Sequence, residues 1–138
     1  MQLADIMTSN PVVLSPDTVL REAAQKMRDL DSGVMPIGDG DRLVGMLTDR
    51  DITVRATADG LDPNTTPVKD VMSPDVIYCF ADDEVETAAR KMEEHQIRRL
   101  IVLNRDKRLV GIASLGDLAV YARSDRLPGE VTEAVSEP

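Results

Sequence analysis

An α+β fold built from two copies of one βαββα plan is what this sequence predicts, and three observations carry it. First, blocks of residues return in order. Asp5-Ile6-Met7-Thr8 recurs as Asp70-Val71-Met72-Ser73, and Ala23-Ala24-Gln25-Lys26-Met27 recurs as Ala88-Ala89-Arg90-Lys91-Met92. Leu43-Val44-Gly45-Met46 then recurs as Leu109-Val110-Gly111-Ile112, one residue out of step with the earlier pairs. Second, the periodicity switches between strand and helix at the same places in each copy. Third, at 138 residues the chain makes one compact domain or two small ones, so each copy must share a core with something.

The elements follow in order. Val12-Val13-Leu14 and Val76–Phe80 are short apolar runs that suit a first strand. Thr18 and Asp83 stand where a helix N-cap belongs, and Asp83 with Glu86 fits a capping box. Leu20, Ala23, Ala24, Met27 and Leu30 recur at helical spacing, as do Val85, Ala88, Ala89 and Met92. Two strands come next, Val34–Ile37 with Leu43–Leu47 and Leu100–Leu103 with Leu109–Ala113. The turn-forming stretches Gly38–Asp41 and Asn104–Lys107 join them as hairpins and absorb the one-residue step. A second helix closes each copy, near Asp49–Ala58 and Leu115–Ala122. The sheets of the two copies are expected to pack face to face about an internal pseudo-twofold axis. Residues 1–60 and 70–123 form the copies, 61–69 the connector, and 124–138 an acidic tail expected to be frayed or disordered.

Composition removes several functions. Sixteen basic against 25 acidic residues give a net charge of −9, which repels phosphate backbones and anionic membrane surfaces. With two Tyr, one Phe and no Trp, stacking platforms for bases are lacking, so no nucleic acid is expected as a partner. One cysteine, Cys79, excludes an internal disulfide, and its apolar surroundings suit a buried structural thiol. One histidine, His95, suits a partner for a helix C-terminus; no metal site and no catalytic residue is expected. No secretory signal opens the chain, and no apolar run approaches the roughly 20 residues of a membrane span, so a cytoplasmic protein without membrane contact is expected.

The chemical signal lies where strand meets helix. Gly45-Met46-Leu47-Thr48-Asp49-Arg50-Asp51 and Gly111-Ile112-Ala113-Ser114-Leu115-Gly116-Asp117 both read Gly-x-x-Ser/Thr-x-x-Asp. A glycine lets another group approach the strand closely. A hydroxyl at a helix start stands where backbone N–H groups favour an anion such as phosphate. A carboxylate three residues on suits the two hydroxyls of a ribose. Together they describe a nucleotide cradle; the alternative is that Thr48 and Ser114 are plain N-caps.

On these motifs the two halves resemble CBS motifs, and the pair resembles a Bateman module, over Asp5–Arg123. It is most similar to small stand-alone bacterial CBS-pair proteins of the stress- and hypoxia-associated group. The resemblance implies a homodimer, a regulatory role without catalysis, and an adenosyl ligand: AMP, ADP or ATP, with NAD or S-adenosylmethionine as occasional ligands. It also implies contacts for Val12, Val13, Val76 and Ile77 on the first strands. By the same resemblance Val34, Met35 and Pro36, with Arg99, Leu100 and Ile101, match the second-strand wall of such a site. Thr48, Asp51, Ser114 and Asp117 fall on phosphate and ribose contacts, and Arg98-Arg99 on a basic pair that reaches phosphate. The first copy has Gly33 and Val34 in place of that pair, with Arg50 as a substitute, so two unequal sites are expected; Arg98 and Arg99 as plain surface charge remain the alternative. Two rival functions stand beside the sensor. One is an interaction module without ligand, recruiting an unknown protein target; the other, remote, is an enzyme working with Asp and Glu alone.

Overall fold

The structure is a computed structural model that describes residues 1–125, with side chains as far as Tyr121. The expectation for the tail beyond Asp125 lies outside the described residues. Two compact units form: Val12–Val76, and Met1–Pro11 together with the chain from Ile77 onward. The compact unit is therefore not the sequence repeat, because each repeat's opening segment packs with the body of the other.

In the Val12–Val76 unit, helix α1 (Leu20–Leu30) turns Leu20, Ala23 and Met27 inward onto Leu14, Met35, Ile37, Leu47, Ala56, Val68 and Val71. Asp31, left-handed at φ 49°, ends the helix and accommodates the bend into the next strand. Strands β2 (Val34–Asp39) and β3 (Arg42–Thr48) pair antiparallel around Gly40, whose φ of +62° makes the turn. The first predicted strand shrinks to one parallel bridge, Leu14 with Ile37. Helix α2 (Asp49–Asp51) runs on as a π-helix over Ile52–Thr57.

The other unit repeats the plan with fuller strands. It has β4 (Tyr78–Phe80), α3 (Val85–His95), β5 (Arg99–Leu103), β6 (Leu109–Ser114) and α4 (Leu115–Asp125). A short strand β1 (Thr8–Ser9) adds to the edge, giving a sheet of order β1-β6-β5-β4 with only β4 and β5 parallel. Its core gathers Leu3, Cys79, Val85, Ala88, Met92, Leu100, Val102, Ala113 and Leu118.

The predicted N-caps are corrected. Val19 and Glu84 hold the cap positions of α1 and α3, and neither side chain makes a cap bond. Asp83 instead accepts from Phe80 N at 2.8 Å, which closes the turn before α3 and leaves no capping box with Glu86. Backbone carbonyls do the capping. Leu20 N donates to Thr66 O at 2.9 Å and Arg21 N to Pro63 O at 3.0 Å, while Val85 N donates to Met1 O at 3.2 Å. The acceptors come from the segments just before each 3₁₀ turn, Leu3–Asp5 and Val68–Asp70. A side-chain cap is unnecessary where a neighbouring carbonyl satisfies the orphan donor.

The repeated Asp-x-Met and Leu-Val-Gly blocks turn out to be packing partners, crossed between repeats. A Cβ on Gly111 would meet Met7 Sδ at 2.5 Å, and one on Gly45 would meet Met72 Sδ at 2.8 Å. Ser73 bridges Met46 just as Thr8 pairs with Ile112.

One ion pair ties the β5–β6 turn to the turn before α3. Arg105 Nε donates to both Asp82 oxygens, at 2.9 and 3.0 Å, while its guanidinium lies 4.1 Å from the Phe80 ring centre. The hydrogen bond from Arg105 holds the Asp82 carboxyl below its ordinary range. A carboxyl whose folded value is depressed contributes stability above its unfolded value and loses it as pH falls through the folded one. Arg105→Met is therefore expected to flatten the acid side of the stability curve below about pH 4. Chemical denaturation at several pH values checks this; an unchanged acid slope would contradict it. The effect is small because the pair is exposed.

Candidate functional site

Each strand-to-helix junction is held by its strand pairing. Val34 stands opposite Thr48 across β2–β3, and Arg99 opposite Ser114 across β5–β6. The first helical N–H reaches back over this pair: Asp49 N donates to Gly33 O at 3.0 Å, and Leu115 N to Arg98 O at 2.7 Å. The hydroxyl and carboxylate then close a reciprocal box. Thr48 N donates to Asp51 Oδ2 at 2.9 Å and Asp51 N to Thr48 Oγ1 at 3.0 Å. Ser114 N donates to Asp117 Oδ2 at 2.9 Å and Asp117 N to Ser114 Oγ at 3.0 Å. The cap alternative thus describes what Thr48, Ser114 and one oxygen of each aspartate do.

Capping does not use up these groups. A carboxylate offers about four acceptor positions and each box takes one. The box instead fixes the aspartate's orientation, so that the second oxygen, Oδ1, keeps one direction. In Asp51 that oxygen has Arg55 Nε at 3.9 Å, a distance at the limit of an ion pair. A rotor locked in this way loses less freedom on binding a pair of hydroxyls.

The remaining predicted residues divide by burial. Met35, Pro36, Leu100 and Ile101 are fully enclosed, so their strands can present backbone but not side chains. Val34 is also buried, Val13, Ile77, Val76 and Arg99 are half-buried, and Val12, Arg50 and Arg98 are exposed. Arg98 and Arg99 belong to the same junction as Ser114 and Asp117; Gly33, Val34 and Arg50 belong to that of Thr48 and Asp51. Val76 and Ile77 fall in different units. Asp49 was passed over by motif reading. Its Oδ1 accepts from Arg50 N at 2.8 Å, and its Oδ2 lies 3.0 Å from where a Cβ on Gly33 would stand. Setting Asp49 against its counterpart Leu115 was the signal that could have found it.

Residues 3–56 and 68–124 each match the family described as CBS domain. CBS domains are regulatory and non-catalytic, so the chain is not assigned an enzymatic role. A similar curated protein is the CBS domain-containing protein YhcV of Bacillus subtilis, 40% identical over 132 residues, spanning 96% of this chain and 93% of that one. Among solved structures, Hypoxic Response Protein I with two coordinated zinc ions superposes with a TM-score of 0.76 at 39% identity, over 93% of this chain and 100% of its own. A CBS domain protein of Pyrobaculum aerophilum complexed with AMP superposes at 0.76 with 26% identity, over 99% and 98%.

The zinc-bearing relative corrects the ligand expectation. Members of this family bind small adenosyl ligands or metals, so AMP, ADP or ATP, or NAD or S-adenosylmethionine, with no metal, was too narrow an expectation. Zinc favours histidine nitrogen and thiolate. This chain has one of each, and among the described residues no three His, Cys, Asp or Glu are grouped to hold a metal. His95 is exposed in the last turn of α3. Cys79 is 1% exposed, and burial pushes its thiol up to about 11. Within one chain, the described residues do not fit a zinc centre. Cys79 is accordingly expected to resist a thiol reagent at pH 8 until the chain is unfolded; rapid labelling of the native protein would contradict its burial. No helix among the described residues is long and apolar enough to cross a membrane. The chain belongs to the CBS-domain family and carries two copies of its motif, joined in tandem.

Proposed function

We propose that this chain is a cytoplasmic, non-catalytic regulatory module that recognises a small ribose-bearing ligand and passes the event on through a homodimer or a protein partner. The observation that carries this reading is the duplicated capping box, which orients Asp51 and Asp117 identically at the start of a helix. Ribose hydroxyls are donors that a fixed carboxylate oxygen accepts, and two relatives are known in complex with AMP. Ligand binding matters here only through its differential affinity for two states of the module.

Asp117→Asn tests it. The amide oxygen can still accept from Ser114 N, so the cap survives, while the charge that strengthens a hydroxyl bond is lost. About a tenfold loss of affinity for an adenosyl compound is expected, with little change in melting temperature. Calorimetry showing unchanged affinity would overturn the ribose role. A thermal-shift panel of adenosine, S-adenosylmethionine and zinc chloride separates the classes: stabilisation by zinc alone would favour a metal-dependent module.

Assembly has its own support. Val54 and Val120 occupy equivalent positions on the closing helices of the two repeats and are 52% and 61% exposed. Such matched apolar positions suit a contact with a second copy. Val54→Glu with Val120→Glu is expected to yield a monomer by light scattering; an unchanged mass would remove these residues from the contact.

A further inference from the structure

The seven methionines divide by where their side chains lie. Met27, Met35, Met46 and Met92 are buried, and Met1 is exposed. Met7 and Met72, equivalent members of the repeated Asp-x-Met block, are half-buried and packed against the core of their own unit. Met7 N donates to Leu3 O at 2.9 Å and Met72 N to Val68 O at 2.8 Å, so the two backbones turn alike. Each sulfur fills the space that a side chain would take on a strand glycine, Gly111 for Met7 and Gly45 for Met72. A backbone carbonyl closes the same spot: the Cβ position on Gly111 lies 2.9 Å from Thr8 O, and that on Gly45 3.0 Å from Ser73 O.

What each sulfur pins is the opening segment of a repeat. Leu3 N and Ala4 N donate to Asp83 O and Ala81 O, Met1 O accepts from Val85 N, and Thr8 and Ser9 pair with β6. In the other unit Val68 N donates to Thr18 O, and Ser73 exchanges two hydrogen bonds with Met46, both of 2.9 Å. A thioether in such a place is open to a peroxide. A sulfur lone pair attacks one peroxide oxygen, the O–O bond breaks, an S–O bond forms and water leaves. Sulfur is oxidised by two electrons and the peroxide is reduced by two. The sulfoxide is polar and larger. The close approach to glycine has no room for the added oxygen, and an oxygen turned the other way puts a strong dipole into an apolar contact. Cys79 does not compete, since its sulfur is enclosed and burial keeps the thiol protonated.

We infer that Met7 and Met72 are a pair of peroxide-sensitive latches: oxidation of each sulfur to the sulfoxide loosens the opening segment it pins, and reduction closes it again. This holds whether or not the chain takes a nucleoside. Oxidation costs more at Met7, whose sulfur lies 2.5 Å from the Cβ position of its glycine against 2.8 Å for Met72.

Hydrogen peroxide applied to the full chain is the test, with peptide mass spectrometry reading each methionine and thermal melting reading the fold. Met7 and Met72 are expected to take up one oxygen each about tenfold faster than Met27, Met35, Met46 and Met92, because access to the sulfur governs the rate. The melting temperature is expected to fall by about 5 °C, and hydrogen exchange at Ala4 N and Val85 N to quicken. Methionine sulfoxide reductases with a dithiol are expected to restore both. Met7→Leu with Met72→Leu keeps the apolar bulk without the sulfur and is expected to hold its melting temperature in peroxide. Met1 is oxidised in both chains and cancels. Met7 and Met72 reacting no faster than the four buried methionines would overturn the proposal, as would their oxidation without a fall in melting temperature, and neither reading needs the variant. An equal fall in the doubly substituted chain would place the sensitive group elsewhere and overturn it too.

Discussion

Leu3→Ala is expected to destabilise the chain by about 3 kcal/mol, the cost typical of removing a fully buried leucine and leaving part of the cavity. Leu3 is 0% exposed and joins a core whose other members come from Cys79 to Tyr121. Its backbone is tied to the same body: Leu3 N donates to Asp83 O at 3.0 Å and Ala4 N to Ala81 O at 2.9 Å. Loss of the side chain therefore loosens the segment whose carbonyl caps α3, and hydrogen exchange at Val85 N should quicken with the loss of stability. Val68 is its counterpart in the other unit, also 0% exposed, with Val68 N donating to Thr18 O at 2.7 Å. Val68→Ala removes fewer atoms and is expected to cost less. Urea denaturation provides the comparison, and a Leu3→Ala change below about 1 kcal/mol would show that Met1–Pro11 is not part of the unit's core.

Gly111→Ala is expected to cost about 2 kcal/mol, and Gly45→Ala less, by crowding the crossed methionine contacts. At Gly111 the new methyl would meet Met7 Sδ at 2.5 Å and the Thr8 carbonyl oxygen at 2.9 Å. The sulfur can swing away, but the carbonyl belongs to the β1–β6 pairing and moves only if that strand does. At Gly45 the corresponding distances are 2.8 Å to Met72 Sδ and 3.0 Å to Ser73 O, a milder collision with a single bridge beside it. The ranking is the discriminating result. Equal costs, or a gain in stability from the reduced freedom of the unfolded chain, would mean that the close approach to Met7 and Met72 does not set the penalty.

Both substitutions concern contacts that the repeat pattern contains without revealing. Asp-x-Met and Leu-Val-Gly occur in each half, so Met7 against Gly45 and Met7 against Gly111 read the same in sequence. The hairpin strands were legible to within about two residues because alternation and turn chemistry agree there, whereas Val12–Leu14 keeps one bridge and β1 was not foreseen. Thr18 and Asp83 misled for a definite reason: cap preference assumes that a helix satisfies its own first donors, and here carbonyls from a distant segment do so. The junctions were legible as motifs, since hydroxyl and carboxylate three residues apart at a helix start have few other uses. What they retain after capping each other was not, because that depends on which oxygen faces which N–H.

Amino-acid order alone determined the duplication, the α+β composition of each copy, the family and the four residues of the paired boxes, because these depend on spacing along the chain. Tertiary structure alone decided that the opening segment of each repeat completes the other's body, and that Asp49 lies over the start of its helix. The reason is that equivalent repeats offer equivalent partners: local pattern sets what can pair, and only the path of the folded backbone selects which copy does.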